Sequence, residues 1–127
     1  HSKTLLIGAG IGLFPLFAGK LNNNILAFEN NKTLKTIANS ILRLSSNYNK
    51  IENEPKNLLS IINNFDYIIC FDFNCNKNLS KIIPRKKQFK KFIYITKIDP
   101  EKLKVKYNNL LNFFMLKKTD LYIYEIN

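Results

Sequence analysis

Apolar residues in this chain fall into short blocks, and the spacing inside each block separates strands from helices. Uninterrupted runs at 4–7 (TLLI) and 25–28 (ILAF) have the length and density of strands buried in a sheet. Between them, Gly8-Ala9-Gly10-Ile11-Gly12 predicts a tight turn and residues 13–21 a helix, so the chain opens as one βαβ unit. The rhythm continues. Leu34, Ile37, Ala38, Ile41, Leu42 and Leu44 recur at helical spacing over 32–46, and residues 50–52 have room for a very short third strand. Pro55 stands at a favourable helix start ahead of Leu58, Leu59, Ile61 and Ile62. FDYIICFDFN (65–74) predicts the next strand, 79–83 a helix broken by Pro84, 92–96 a further buried strand and 100–111 a helix. Two strands, 112–116 and 121–126, then close the chain around Lys117-Lys118-Thr119-Asp120.

Successive right-handed βα crossovers build a parallel sheet, and a direct strand-to-strand reversal at its end makes an antiparallel pair. The pattern therefore predicts an α/β fold: a Rossmann-like, doubly wound, mostly parallel sheet with a C-terminal antiparallel hairpin. At 127 residues and 46% hydrophobic content the chain suffices for one domain with a real core, without repeat, linker or second domain. Ligand turns in such sheets sit where the strand order reverses. That rule places Gly8 to Gly12 at the carboxyl end of a central strand, with residues 65–71 as its parallel neighbour.

The first apolar stretch also has the grammar of an export or membrane segment, with Lys3 before it and the small pair Ala18-Gly19 after it. Gly8, Gly10, Gly12 and Pro15 interrupt it, and it falls short of the roughly 20 residues a bilayer core needs, so no membrane span is expected. The second apolar run, ending on Glu29, favours a ligand turn over a signal peptide. Glycines let the backbone approach a bound molecule closely, and an acid ending the second strand can accept hydrogen bonds from both hydroxyls of a ribose. The dinucleotide fingerprint requires glycine at the sixth place, where this chain has Leu13, so a different cofactor is expected.

This arrangement resembles motif I of the class I S-adenosylmethionine-dependent methyltransferases, in which a strand leads into G-x-G-x-G and an acid closes the next strand. Gly8, Gly10, Gly12 and Glu29 match it position by position. The resemblance implies S-adenosylmethionine as cofactor, bound by those four residues. FDYIICFDFN resembles motif IV of the same class, which implies Asp72 and Asn74 beside the reacting methyl group, Asp72 as proton acceptor and Asn74 orienting an amine or base edge. Two departures stand out. Leu6 occupies the place where the family usually carries an acid, and the elements that usually precede the first strand are missing, so a single methyltransferase-like domain over 1–127 in minimal, truncated or subunit form is expected. Some RNA cytosine methyltransferases use a cysteine just after this strand, but the usual proline-cysteine pair is Asn74-Cys75 here, and a bystander cysteine is the better reading. IGLF followed by AFENN also resembles O-methyltransferases that tailor sugars and polyketides.

Cys70 and Cys75 are too few for a disulfide framework, and with His1 as the sole histidine they offer no metal set and no Ser-His-Asp or Cys-His relay. A reducing compartment is expected, cytoplasm or an organellar matrix. Charge is more informative. The chain carries 20 bases against 9 acids, net +11, and eleven of the bases with only two of the acids lie between Lys77 and Lys106. The richness in Lys, Asn and Ile matches an AT-rich genome and accounts for part of the lysine excess, but not for its clustering. PRKKQFKKF is the densest part, with Phe89 and Phe92 among the bases, and Arg85, Lys86, Lys87, Lys90 and Lys91 are the expected phosphate contacts for RNA or a ribonucleoprotein. Two functions follow: a methyltransferase acting on RNA, or a catalytically inactive methyltransferase-like fold serving as a structural or RNA-binding subunit alongside a protein partner.

Overall fold

In the computed structural model the described residues are 2–19, 24–45, 49–74, 77, 90–107 and 112–126. They form β1 (Thr4–Ile7), α1 (Leu13–Gly19), β2 (Ile25–Phe28), α2 (Lys32–Leu42), α3 (Leu58–Ile61) running into a 3-10 turn (Ile62–Asn64), β3 (Tyr67–Asp72), β4 (Lys91–Thr96), α4 (Pro100–Lys106), β5 (Phe113–Lys118) and β6 (Leu121–Ile126). The strands make one sheet in the order β2-β1-β3-β4-β6-β5. β1 pairs in parallel with β2 and β3, and β3 with β4, while β6 runs antiparallel to both β4 and β5. This is the Rossmann-like mixed sheet that the pattern predicts, and the order reverses between β1 and β3.

The two faces of the sheet are covered unequally. On one, Leu5, Ile7, Ile68, Cys70, Phe92, Tyr94, Tyr124 and Ile126 form the main core beneath Leu58, Leu59 and Ile61 of α3 and Leu103 of α4. On the other, Leu6 and Ala27 pack against Leu16 of α1 and Ala38 and Leu42 of α2, with Ile69 and Phe71 at the margin. Beyond that margin Ile93, Ile95 and Ile123 are half-buried, and Phe114 and Leu116 of the edge strand are 72% and 63% exposed. The uninterrupted apolar runs predict strands buried on both faces. They fall short of that here because, among the described residues, the packing of α1 and α2 ends at β3.

Local chemistry sets the element ends. Asn31 caps α2 by accepting from the Leu34 amide at 3.0 Å, and Asp99 caps α4 by accepting from the Lys102 amide at 2.9 Å, with Pro100 opening the helix. The expected third strand shrinks to a single parallel bridge between Phe28 and Glu52. A side chain substitutes for the missing ladder: buried Asn39 donates to the Ile51 carbonyl at 3.0 Å and accepts from the Ile51 amide at 2.8 Å. The helix expected at 79–83 lies outside the described residues, as do Arg85, Lys86 and Lys87.

Candidate functional site

The glycine turn leaves the carboxyl end of β1 in a left-handed conformation at three positions, with φ of 80° at Gly8, 62° at Gly10 and 86° at Gly12. Only glycine adopts these angles without strain. The surroundings differ at each. A Cβ on Gly8 would lie 2.5 Å from the Phe71 carbonyl oxygen on β3, and one on Gly12 would lie 3.0 Å from the Ala38 Cβ on α2. A Cβ on Gly10 would meet nothing within 4 Å. Gly8 and Gly12 are thus required by close packing of strand and helix, whereas Gly10 fronts open space.

Glu29, at the end of β2 and 9% exposed, fastens this turn. Its Oε1 accepts from the Gly10 amide at 2.8 Å and its Oε2 from the Asn31 amide at 2.9 Å. A carboxylate oxygen has two lone-pair directions, so each oxygen retains capacity for one further donor such as a ribose hydroxyl. The neighbouring asparagines complete the wall: Asn30 accepts from the Glu54 amide at 2.8 Å, and Asn31 caps α2.

Across the turn, β3 delivers Asp72, 2% exposed. Its Oδ2 accepts from the Tyr94 hydroxyl and from the Lys77 amide, the latter at 3.1 Å, while its carbonyl accepts from Thr96 Oγ1 at 2.9 Å. Burial, reinforced by the hydrogen bond to Asp72, pushes the Tyr94 hydroxyl far above its usual range, so it stays protonated and donates. Lys77 turns its ammonium to Glu54 in an ion pair. Asn74 is exposed in the turn after β3.

These pieces enclose a cavity of about 390 Å³ at the carboxyl ends of β1, β2 and β3, walled by Gly8, Gly10, Glu29, Asn31, Phe73 and Lys77 and also reached by Asp72 and Asn74. That volume lies within the usual range for a small-molecule site, about 300–1,000 Å³. Five of the residues singled out in the sequence therefore converge on one cavity, and Gly12 stands behind them, holding the start of α1 against α2. Of the expected phosphate contacts, the two described members, Lys90 and Lys91, lie elsewhere. Lys91 opens β4 in register with Tyr67 and Thr4, at the amino edge of the sheet. Lys90 pairs with Asp66 at 3.7 Å and Lys91 with Glu125 at 3.4 Å. Sequence reasoning missed Lys77, Glu54 and Tyr94 as parts of the site. Tyr94 carries a sequence signal, since a polar-tipped residue inside a buried run (FIYIT) needs a partner for its hydroxyl; the Lys77–Glu54 pairing spans 23 residues and has none.

Among the described residues no cluster of His, Cys, Asp or Glu suits a metal ion, and no helix is long and apolar enough to cross a membrane. No protein-family model matches the chain, and no curated protein matches its sequence significantly. Solved structures do share its fold. A ribosomal protein L11 methylase from Lactobacillus delbrueckii subsp. bulgaricus superposes with a TM-score of 0.65 at 17% identity over 99% of this chain and 69% of the other. For a precorrin-6y C5,15-methyltransferase from Geobacter metallireducens the TM-score is 0.71 at 15% identity, over 99% and 78% of the two chains. TrmK of M. capricolum, solved with S-adenosyl-homocysteine, gives 0.63 at 16% identity over 99% and 62%.

Proposed function

We propose that the chain is an S-adenosylmethionine-dependent methyltransferase domain acting on RNA. The observation that carries the reading is the open space over Gly10 beside a Glu29 carboxylate whose two oxygens are aimed by backbone amides and keep lone pairs in reserve. Those features fit an adenosine: the ribose hydroxyls to Glu29, the backbone approach at Gly10, the cofactor body against Asn31 and Phe73. Bound there, S-adenosylmethionine supplies a sulfonium-activated methyl group for in-line transfer. The chain's part is alignment. Asp72, anchored by Tyr94 and the Lys77 amide, fixes the β3 edge of the site, and exposed Asn74 presents an amide to orient the acceptor. The fold shared with methyltransferases supports this reading, and the +11 charge supports a polyanionic acceptor.

A second reading, an inactive fold serving as an RNA-binding subunit, draws on Leu6. It is fully buried in the core where the resembled family usually places an acid, so the methionine end of a cofactor gains no carboxylate from β1. Calorimetric titration with S-adenosylmethionine and S-adenosylhomocysteine separates the two. Micromolar binding that is lost in Glu29→Gln is the expected result; absence of binding by the unaltered protein at millimolar ligand would leave the second reading in place.

A further inference from the structure

The strand registers bring Lys97, from the basic segment, to the same edge as Lys117 and Lys118, which lie outside it. Asp72 on β3 lies opposite Thr96 on β4, Thr96 opposite Tyr122 on β6, and Tyr122 opposite Lys117 on β5. One row thus crosses the sheet from the cavity to the hairpin, about 14 Å over three strand spacings. Just beyond it, at the carboxyl edge, come Phe73, Lys97 and Lys118. β5 runs parallel to β4, because both are antiparallel to β6, so Lys117 and Lys118 end on the same edge as the glycine turn. Lys90 and Lys91 occupy the opposite edge.

The two groups differ in compensation as well as in place. Lys90 and Lys91 each face a carboxylate. Among the described residues, Lys97, Lys117 and Lys118 have no acid within ion-pair distance. Lys117 lies over the Tyr122 ring at 5.5 Å, which steadies its ammonium without neutralising it. From Lys97 the edge opens into a groove along α4 lined by Lys97, Lys102, Lys106 and one acid, Glu101, over Ile98 and Val105; within it Lys102 faces Asp99 at 3.9 Å. At the cavity end, Phe73 is 47% exposed, and its ring is braced edge-on by Phe71 at 5.7 Å, itself braced by Phe14 at 5.9 Å. A rigid exposed aromatic beside uncompensated lysines is the combination that holds a single-stranded nucleic acid, the ring stacking a base and the lysines tracking phosphates.

We infer that the carboxyl edge of the sheet, from Phe73 through Lys97 to Lys117 and Lys118, is the path of a single-stranded RNA acceptor, whose target base enters the cavity past Phe73. This deepens the RNA part of the proposed function and rests on it, but its test needs no cofactor. Fluorescence anisotropy of a labelled single-stranded RNA of about 12 nucleotides, measured across a salt series, compares two variants with the same charge change, Lys117→Gln/Lys118→Gln and Lys90→Gln/Lys91→Gln. The first should flatten the slope of log affinity against log salt by about 1.4, roughly 0.7 per lost phosphate contact; the second should leave the slope unchanged. Phe73→Ala should weaken binding by about tenfold with the salt slope intact, since stacking releases no counterions. Thermal melts confirm that each variant is folded. Equal effects of the two lysine variants would overturn the path in favour of diffuse attraction. Displacement of the RNA by poly-glutamate at equal charge, together with no effect of Phe73→Ala, would overturn it in favour of an acidic protein partner. Because these measurements omit S-adenosylmethionine, loss of the cofactor reading and loss of the RNA path are read separately.

Discussion

The three turn glycines make the most demanding prediction, because the same substitution should have three different costs. Placing alanine at a left-handed φ costs about 1–2 kcal/mol, offset by about 0.4–1 kcal/mol from the reduced freedom of the unfolded chain. Gly10→Ala, whose Cβ meets nothing within 4 Å, should therefore destabilise by only about 1 kcal/mol. At Gly12 the new Cβ stands 3.0 Å from the Ala38 Cβ and 3.1 Å from its Cα, and separating α1 from α2 to relieve that contact adds about 1–3 kcal/mol. At Gly8 the obstacle is the Phe71 carbonyl oxygen at 2.5 Å, a backbone atom of β3 that cannot retreat without disturbing the β1–β3 pairing. Its cost should be the largest, at or above the upper end of the same ~1–3 kcal/mol range before strain is added. Urea unfolding at constant m-value measures the series, and in thermal melts Gly10→Ala should stay within roughly 4–5 °C of the parent. Gly10→Val, folded by the same criterion, should nonetheless lose S-adenosylhomocysteine binding, since its branches fill the space the ligand needs. Equal destabilisation at Gly8 and Gly10, or Gly10→Val binding as tightly as the parent, would refute the assignment of roles within the turn.

Three further outcomes test the surroundings of the site. Asn39→Ala removes both hydrogen bonds to the Ile51 backbone in a buried setting and should cost about 2–4 kcal/mol in urea unfolding, whereas a loss under about 1 kcal/mol would mean the clamp is dispensable. Tyr94→Phe deprives Asp72 Oδ2 of its hydroxyl donor inside the core and should cost about 1–3 kcal/mol without a change in m-value; no loss would refute the anchoring role. Alkaline pH should weaken the fold. Burial pushes the Cys70 thiol from 9.0 up to about 12 and raises the Tyr94 and Tyr124 hydroxyls above 10.0. Between about pH 9 and pH 12 the unfolded chain gives up these protons while the folded protein keeps them, so stability falls with rising pH by up to ~1.4 kcal/mol per pH unit for each group. It is fully retained below about pH 9, and urea midpoints that stay constant up to about pH 10.5 would contradict the burial of all three.

The βαβ opening and the closing hairpin were legible in the sequence because each is specified locally. TLLI and ILAF are short apolar runs bounded by turn residues, GAGIG supplies left-handed positions that only glycine takes without strain, and Asn31 and Asp99 cap helices within three residues of themselves. Even the neighbouring of β1 and β3 followed from the rule that a ligand turn sits where the strand order reverses. Long-range placement was not legible. Charge density drew attention to PRKKQFKKF, yet Lys90 and Lys91 stand at the amino edge facing acids, while Lys117 and Lys118, expected in the turn of the hairpin, instead end β5 on the cavity's edge. Linear spacing records which residues are charged but not to which end of a sheet each strand carries them; that is fixed by strand direction and register, which emerge only when the hairpin docks on β4. The same holds for Lys77 with Glu54 and Tyr94 with Asp72, pairs 23 and 22 residues apart that meet because β3, β4 and the segment after β2 end at one place. Local propensity wrote the elements, and tertiary packing decided which side chains face one another across the site.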